Sequence, residues 1–275
     1  MILPQRPLGR TGVSVTLLGL GGEGVLRTYG YDRQAQGLIL AALEAGVNYF
    51  ETARAYSGSE AYLGRNLTGH RHRIFLTSKS HARTRAEAER HLTTTLTNLN
   101  TDYLDLWQVH DLRTQADLEA IAAPGGALEA FQGAKEQGLA RFIGVTGHHD
   151  PAVLRQALEL YDFDTVLLPV NPAEPRYHSF LPLAEEARHR GLGVIGMKTL
   201  CRGMLAQLKV APLKTILAYA LSQAVSLVVV GADSAAQVQE LAGAARAFKP
   251  LTAAAQRHLE EAIIPFARGL MYYKP

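Results

Sequence analysis

Four side chains in this sequence could together manage a proton: the carboxylate of Glu51, the phenol of Tyr56, the amine of Lys79 and the imidazole of His110, which Asp111 follows directly. They stand at or just beyond the ends of three short apolar runs, 47–51, 74–78 and 103–109. A lysine buried at such a place would lose its charge without a partner, because desolvation disfavours an ammonium, and Glu51 on the neighbouring run is the natural counter-ion. Tyr56 then has a cation beside it. A phenol with an ordinary pKa of about 10 is a poor acid at neutral pH, but an adjacent ammonium and a hydrogen-bonding imidazole stabilise its phenolate. Such a tyrosine can protonate a carbonyl oxygen as negative charge develops on it. Nothing in the quartet supplies electrons, so a carbonyl reduction here requires a bound hydride donor such as a nicotinamide.

The elements that must position these groups follow from the pattern of the chain. Short apolar or β-branched runs alternate with helical patterns at a spacing of roughly 30 residues, the rhythm of βα units. Eight strands are expected, at 17–19, 47–51, 74–78, 103–109, 142–145, 165–170, 193–197 and 226–230. Asp32 is placed as the cap of a helix to residue 45, Ser59 as the cap of 60–66, and Asp150 before Pro151 as the cap of a third helix. Further helices are expected at 85–99, 128–137, 181–190, 212–222 and 235–246, several ending at a glycine. Strands that are apolar on both faces call for a parallel sheet covered by helices, and eight units call for closure into a (β/α)8 TIM barrel of the α/β class. The stretch 6–15, turning at Arg10-Thr11-Gly12, reads as an N-terminal β-hairpin, and 251–264 as an additional C-terminal helix. The expectation is one barrel domain over residues 1–275.

Reactive groups in such a barrel project from the carboxyl ends of the strands. Period-two parity puts Phe75 and Thr77 inside with Lys79, puts Leu104, Leu106 and Gln108 inside with His110, and leaves Tyr103 and Trp107 under the helices.

Composition narrows the function classes. Twenty-eight Lys plus Arg stand against 25 Asp plus Glu, a formal charge of +3 with the cations scattered. No nucleic-acid partner or anionic membrane surface is implied. Cys201 is the only cysteine, which excludes an intrachain disulfide, a cysteine-rich zinc site and a cysteine-ligated iron–sulfur cluster, and fits a reducing, cytoplasmic setting. No apolar run reaches the roughly 18 residues of a membrane span. His148-His149-Asp150 offers adjacent, divergent side chains without a third ligand at a metal spacing, so no metal is expected, and His70 and His72 sit in an arginine-rich loop.

Segments along nearly the whole chain resemble the aldo-keto reductases: PLGRTGVSVTLLGLGG (7–22), AGVNYFETARAYSGSEAYLGRNL (45–67), IFLTSK (74–79), LNTDYLDLWQVHD (99–111), ARFIGVTGH (140–148) and LVVVGADSAAQVQE (227–240). The resemblance implies a (β/α)8 barrel that binds NADP(H), or alternatively NAD(H), and reversibly reduces a small-molecule aldehyde or ketone to an alcohol. It puts the family's acid on Tyr56, its lysine on Lys79 and its histidine on His110, while Glu51 stands where the family carries an aspartate.

The same resemblance assigns cofactor contacts to Gly22, Thr146, Asn171, Met197, Lys198, Leu200, Arg202 and Gly203, and to Gly231, Asp233, Ser234, Gln237 and Glu240 at the adenosine end. Gly147 replaces an asparagine that often holds the carboxamide, and Met197 replaces an aromatic that stacks on the nicotinamide. In the loop after the eighth strand Asp233 would repel a 2′-phosphate and accept a hydrogen bond from a free ribose hydroxyl, which leans toward NAD(H). Glu23 and His148 are the substrate-side candidates, with specificity carried by the loops 23–31 and 112–127 and by the tail Met271-Tyr272-Tyr273. Two alternatives stand beside the reductase: a cofactor-binding regulatory protein of low activity, and an unrelated barrel lyase using Lys79 as a Schiff base.

Overall fold

The structure, a computed structural model, describes residues 2–275. A hairpin of β1 (Gln5–Pro7) and β2 (Ser14–Thr16) precedes eight parallel strands: β3 (Leu18–Gly24), β4 (Tyr49–Glu51), β5 (Phe75–Ser80), β6 (Leu104–Val109), β7 (Ala140–Thr146), β8 (Thr165–Pro169), β9 (Gly193–Met197) and β10 (Leu227–Ala232). The eight close in sequence order, with β10 returning to β3. Every strand falls on an expected apolar run. The largest difference in extent is β3, which continues to Gly24 and so carries Gly22 and Glu23 to the carboxyl end of the barrel.

Two helix caps differ from expectation. Asp32 is the first residue of helix Asp32–Ala45 rather than its cap, and its carboxylate pairs with Arg65 at 2.5 Å. Ser59 likewise opens helix Ser59–Leu67, and the position before it is Gly58, where a Cβ would lie 1.9 Å from the Thr28 carbonyl oxygen. The close approach of that loop excludes a side chain at 58, so no residue with a capping hydroxyl fits there. Asp150 does cap its helix, accepting from the Ala152 N–H at 2.8 Å. Helices Arg85–Leu99 and Ala235–Arg246 lie where periodicity places them. The loop 112–127 contains a helix, Gln115–Ala122, started by a reciprocal capping box between Thr114 and Asp117.

The barrel interior is apolar toward its amino end. Tyr49, Phe75, Leu106, Leu167, Ile195, Leu227 and Val229 fill it, and Leu8 and Val15 of the hairpin region close the floor. Leu104, expected inside, packs with the outer layer at the start of β6, where the hairpin already occupies the floor. Trp107 is in the outer layer as parity requires, stacked on Phe131 with ring centroids 3.8 Å apart. Tyr103 instead lies under the Arg71 guanidinium at 3.9 Å. The C-terminal helix runs Ala253–Ile263, and among the described residues no helix is long and apolar enough to cross a membrane.

Candidate active site

At the carboxyl end of the barrel, polar groups replace the apolar filling. Lys79 pairs with Gln108 in register across β5 and β6, and Glu51 with Thr77 across β4 and β5, which sets Glu51 and Lys79 side by side. Lys79 Nζ lies 2.8 Å from Glu51 Oε1 and donates to the Thr52 carbonyl at 2.9 Å, both side chains being buried. The extra methylene of Glu51 relative to aspartate therefore does not prevent the ion pair.

Beyond β4 the chain turns tightly, with Tyr56 N–H on the Ala53 carbonyl and Ser59 N–H on the Tyr56 carbonyl. This brings the Tyr56 ring beneath Lys79 Nζ, 4.8 Å from the ring centroid, with the Arg27 guanidinium 5.1 Å away. His110 meets the Tyr56 ring edge-on at 5.7 Å between centroids. Glu51, Tyr56, Lys79 and His110, expected together from sequence, are together.

The electrostatics differ in one respect from expectation. Burial, with Glu51 and Glu23 adding to it, pushes the Tyr56 phenol well above its ordinary value, so the resting side chain holds its proton. The Lys79–Glu51 pair forms as expected, but the desolvation of the phenol, with two carboxylates close by, outweighs the cations around it. Burial, reinforced by Lys79, also holds the His110 imidazole well below its usual value, which keeps it neutral. Its Nδ1 and the Glu51 Oε2 are buried without a protein hydrogen-bond partner.

Glu23 reaches the same mouth. Burial alone would raise its carboxyl, yet Lys198 and Arg27 hold it below the usual carboxylate range, and Arg27 Nη1 lies 3.0 Å from its Oε2. His148 Nδ1 stands 2.7 Å from Asp111 Oδ1, and its ring stacks in parallel with that of Tyr273 at 6.1 Å.

The remaining assigned residues separate into two groups. The loop after β9 fits a phosphate-bearing group. Lys198, Cys201 and Arg202 all adopt positive φ (58°, 47° and 57°), as does Gly203 at 83°, a tight backbone for non-glycine residues. Lys198 has no salt-bridge partner among the described residues, and burial pushes its ammonium below the ordinary value, with the Glu23 carboxylate opposing the shift. Leu200 lies partly buried beside it, and the Arg202 guanidinium rests 4.5 Å from the Tyr272 ring. Met197, at the end of β9, packs on the interior cluster and supplies the floor of the mouth. Gly22 is closely packed, since a Cβ there would lie 2.4 Å from Ser59 Oγ.

In the second group Thr146, Ser234 and Gln237 make side-chain hydrogen bonds within the fold. Thr146 Oγ1 accepts from the Asp111 N–H at 2.8 Å, fixing the turn after His110. Ser234 caps the last barrel helix by accepting from Gln237 N–H at 3.2 Å, and Gln237 Oε1 accepts in turn from Asp233 N–H at 2.7 Å. Gly231, Asp233 and Glu240 are exposed.

Asn171 belongs partly to both groups. Its Nδ2 donates to the Tyr273 hydroxyl at 2.8 Å and to the Lys198 carbonyl at 3.3 Å, while its Oδ1 accepts from Ala173 N–H at 3.0 Å and keeps one lone pair. The Tyr273 hydroxyl donates to Glu174 Oε1 at 2.6 Å, and Lys274 Nζ lies 2.7 Å from Glu174 Oε2. This anchoring of the tail by a fully buried glutamate was not foreseen, and Arg27 was also missed. The partners Glu174 and Lys274 are 100 residues apart, so no local spacing signals them.

The eight-stranded barrel, its hairpin floor and a Tyr-Lys-His-carboxylate cluster at the carboxyl mouth define a barrel oxidoreductase. The profile of the Aldo/keto reductase family matches residues 17–216, and the chain belongs to that family. It is 24% identical over 218 residues to the uncharacterized oxidoreductase YqkF of Bacillus subtilis, a match covering 74% of this chain and 67% of that protein. The holo form of aldo-keto reductase AKR11C1 from Bacillus halodurans superposes with a TM-score of 0.79 at 25% identity, over 94% of this chain and 96% of that one. The fold is also similar to an aldo/keto reductase from Klebsiella pneumoniae solved with NADP and acetate, at TM-score 0.76 and 20% identity, covering 94% and 95% of the two chains.

Proposed function

We propose that this protein reduces the carbonyl group of a small aldehyde or ketone to an alcohol, reversibly, with Tyr56 as the proton donor. The observation that carries the reading is the protonated Tyr56 phenol set against the Glu51-paired Lys79 and the neutral His110 at the barrel mouth. Family membership and the NADP complex of the Klebsiella protein support a nicotinamide dinucleotide as partner. When bound, that group would supply the hydride; Lys198, Arg202 and the loop to Gly203 would hold its phosphates and Asn171 its carboxamide.

The protein's own groups then act on the oxygen. Tyr56 transfers its hydroxyl proton to the carbonyl oxygen as charge develops there. Lys79, held by Glu51 and the Thr52 carbonyl, stabilises the phenolate left behind. His110, unprotonated, offers a neutral hydrogen-bonding edge and orients the carbonyl. Glu23 and His148 border the substrate side.

A pH profile tests the protonation states. Because the Tyr56 pKa is raised, its acid form persists through the ordinary tyrosine value of about 10, and because the His110 pKa is lowered, the His110 imidazole stays uncharged near pH ~6.5. At saturating cofactor and substrate, kcat for reduction is expected to stay level from about pH 6.5 to about pH 10. An inflection near the ordinary histidine value that persists in His148→Ala would contradict the His110 assignment.

NADP(H) is the first reading for the cofactor, and Asp233 favours a second. The segment 231–240 contains Asp233 and Glu240 and no cation, so it offers nothing to a 2′-phosphate. Titration with both cofactors is expected to give NADH and NADPH affinities within about tenfold, or ~1.4 kcal/mol. An NADPH preference above about a hundredfold would overturn the part assigned to Asp233.

A further inference from the structure

Outside the mouth, the structure brings together three ligand-bearing side chains that the sequence reading left apart. His81 is the first residue beyond β5, and Glu87 and His91 occupy successive turns on one face of helix Arg85–Leu99. One ligand atom from each lies within 4.8 Å of the other two. His91 Nε2 is 3.8 Å from Glu87 Oε1, and the rings of His81 and His91 are 4.8 Å apart at centroid. Ligand atoms about 2.1 Å from a tetrahedral zinc ion stand about 3.4 Å apart, so small side-chain rotations close this cluster onto an ion.

The surroundings prepare the same arrangement. Ser80 Oγ lies 2.8 Å from His91 Nδ1 and already accepts from Ala82 N–H at 3.2 Å. Binding of an ion at Nε2 would set Nδ1–H to donate to this oxygen, the role an outer partner plays for a metal-bound histidine. The His81 imidazole makes no hydrogen bond among the described residues. Two cations are near, Arg54 and Arg90, and the Arg54 charge is taken up by the buried Glu60.

We propose that His81, Glu87 and His91 bind a divalent late transition-metal ion, Zn²⁺ foremost, with water completing the coordination. Two imidazoles and one carboxylate suit Zn²⁺ and its neighbours better than Mg²⁺ or Ca²⁺, which favour all-oxygen sets. The ion would clamp the turn after β5 to the following helix, two residues from Lys79. It takes no part in the proton chemistry.

The test is calorimetric titration of the chelator-treated full chain with Zn²⁺, alongside visible absorption with Co²⁺ and thermal unfolding with and without Zn²⁺. One equivalent should bind and raise Tm. Ser80→Ala should weaken binding by about 10–100-fold, and loss of a ligand in His91→Ala, Glu87→Gln or His81→Ala should weaken it further. His81 is exposed, so His81→Ala keeps the fold if His91→Ala does not. Glu89→Gln, on another face of the same helix, should bind as wild type. No Zn²⁺ bound by the wild-type chain, or wild-type affinity in His81→Ala, overturns the proposal.

Discussion

Tyr56→Phe should abolish carbonyl reduction while leaving cofactor binding intact. The substitution removes one hydroxyl and keeps the ring on which Lys79 and Arg27 rest, at 4.8 and 5.1 Å from its centroid. The fold around it therefore has no reason to change. What is lost is the only proton donor in the quartet that is protonated, buried and placed between the lysine and the histidine. Removing a positioned general acid costs about 10²–10⁴-fold in rate, equivalent to roughly 3–5 kcal/mol of barrier. Single-turnover oxidation of NADPH with a panel of aldehydes measures the rate, and quenching of protein fluorescence measures cofactor affinity. A rate within tenfold of wild type would remove Tyr56 from the chemistry. If the wild-type chain binds cofactor but turns over no carbonyl, the regulatory alternative takes the place of the reductase.

The parts of the site that were legible in the sequence are those fixed by strand periodicity. Once 74–78 and 103–109 are read as neighbouring parallel strands, Lys79 and His110 must emerge at the same end of the barrel. Glu51 follows from the same reasoning one strand earlier. What periodicity cannot show is the balance of charges after burial. The Lys79–Glu51 pair was legible and stands at 2.8 Å, but the burial of the Tyr56 phenol, which with Glu51 and Glu23 outweighs the neighbouring ammonium, was not. The cap at Ser59 was misplaced by one residue because only the approach of the Thr28 carbonyl reveals why position 58 is glycine. The adenosine-end residues were legible as a loop, while the hydrogen bonds that Ser234 and Gln237 make at the start of the following helix were not. The His81, Glu87 and His91 cluster had a readable half, the i, i+4 pair on one helix, and an unreadable half, the loop histidine that only the barrel brings to it.

The tail was the least legible part of the site, and it carries the largest expected effect on stability. Glu174 is fully buried and satisfies three donors: the Tyr273 hydroxyl at 2.6 Å, Lys274 Nζ at 2.7 Å and Phe180 N–H at 3.1 Å. Glu174→Ala leaves a buried ammonium without its carboxylate, which costs about 3–5 kcal/mol. For a chain of this size that corresponds to a fall in Tm of roughly 6–20 °C. Lys274→Met should cost less. Burial already pushes the Glu174 carboxyl up, with Lys274 opposing it, so without the lysine the carboxyl can take a proton and keep Tyr273 and Phe180 bonded. The two variants also differ at the mouth. Glu174→Ala frees the Tyr273 hydroxyl from its acceptor, and with it the hydrogen bond that orients the Asn171 amide, so cofactor affinity should fall as well as Tm. In Lys274→Met the Glu174–Tyr273–Asn171 chain remains, and affinity should hold. Differential scanning calorimetry with cofactor titration on both variants measures the pair of effects. Equal loss of affinity in the two would mean that the tail steadies the barrel without orienting Asn171.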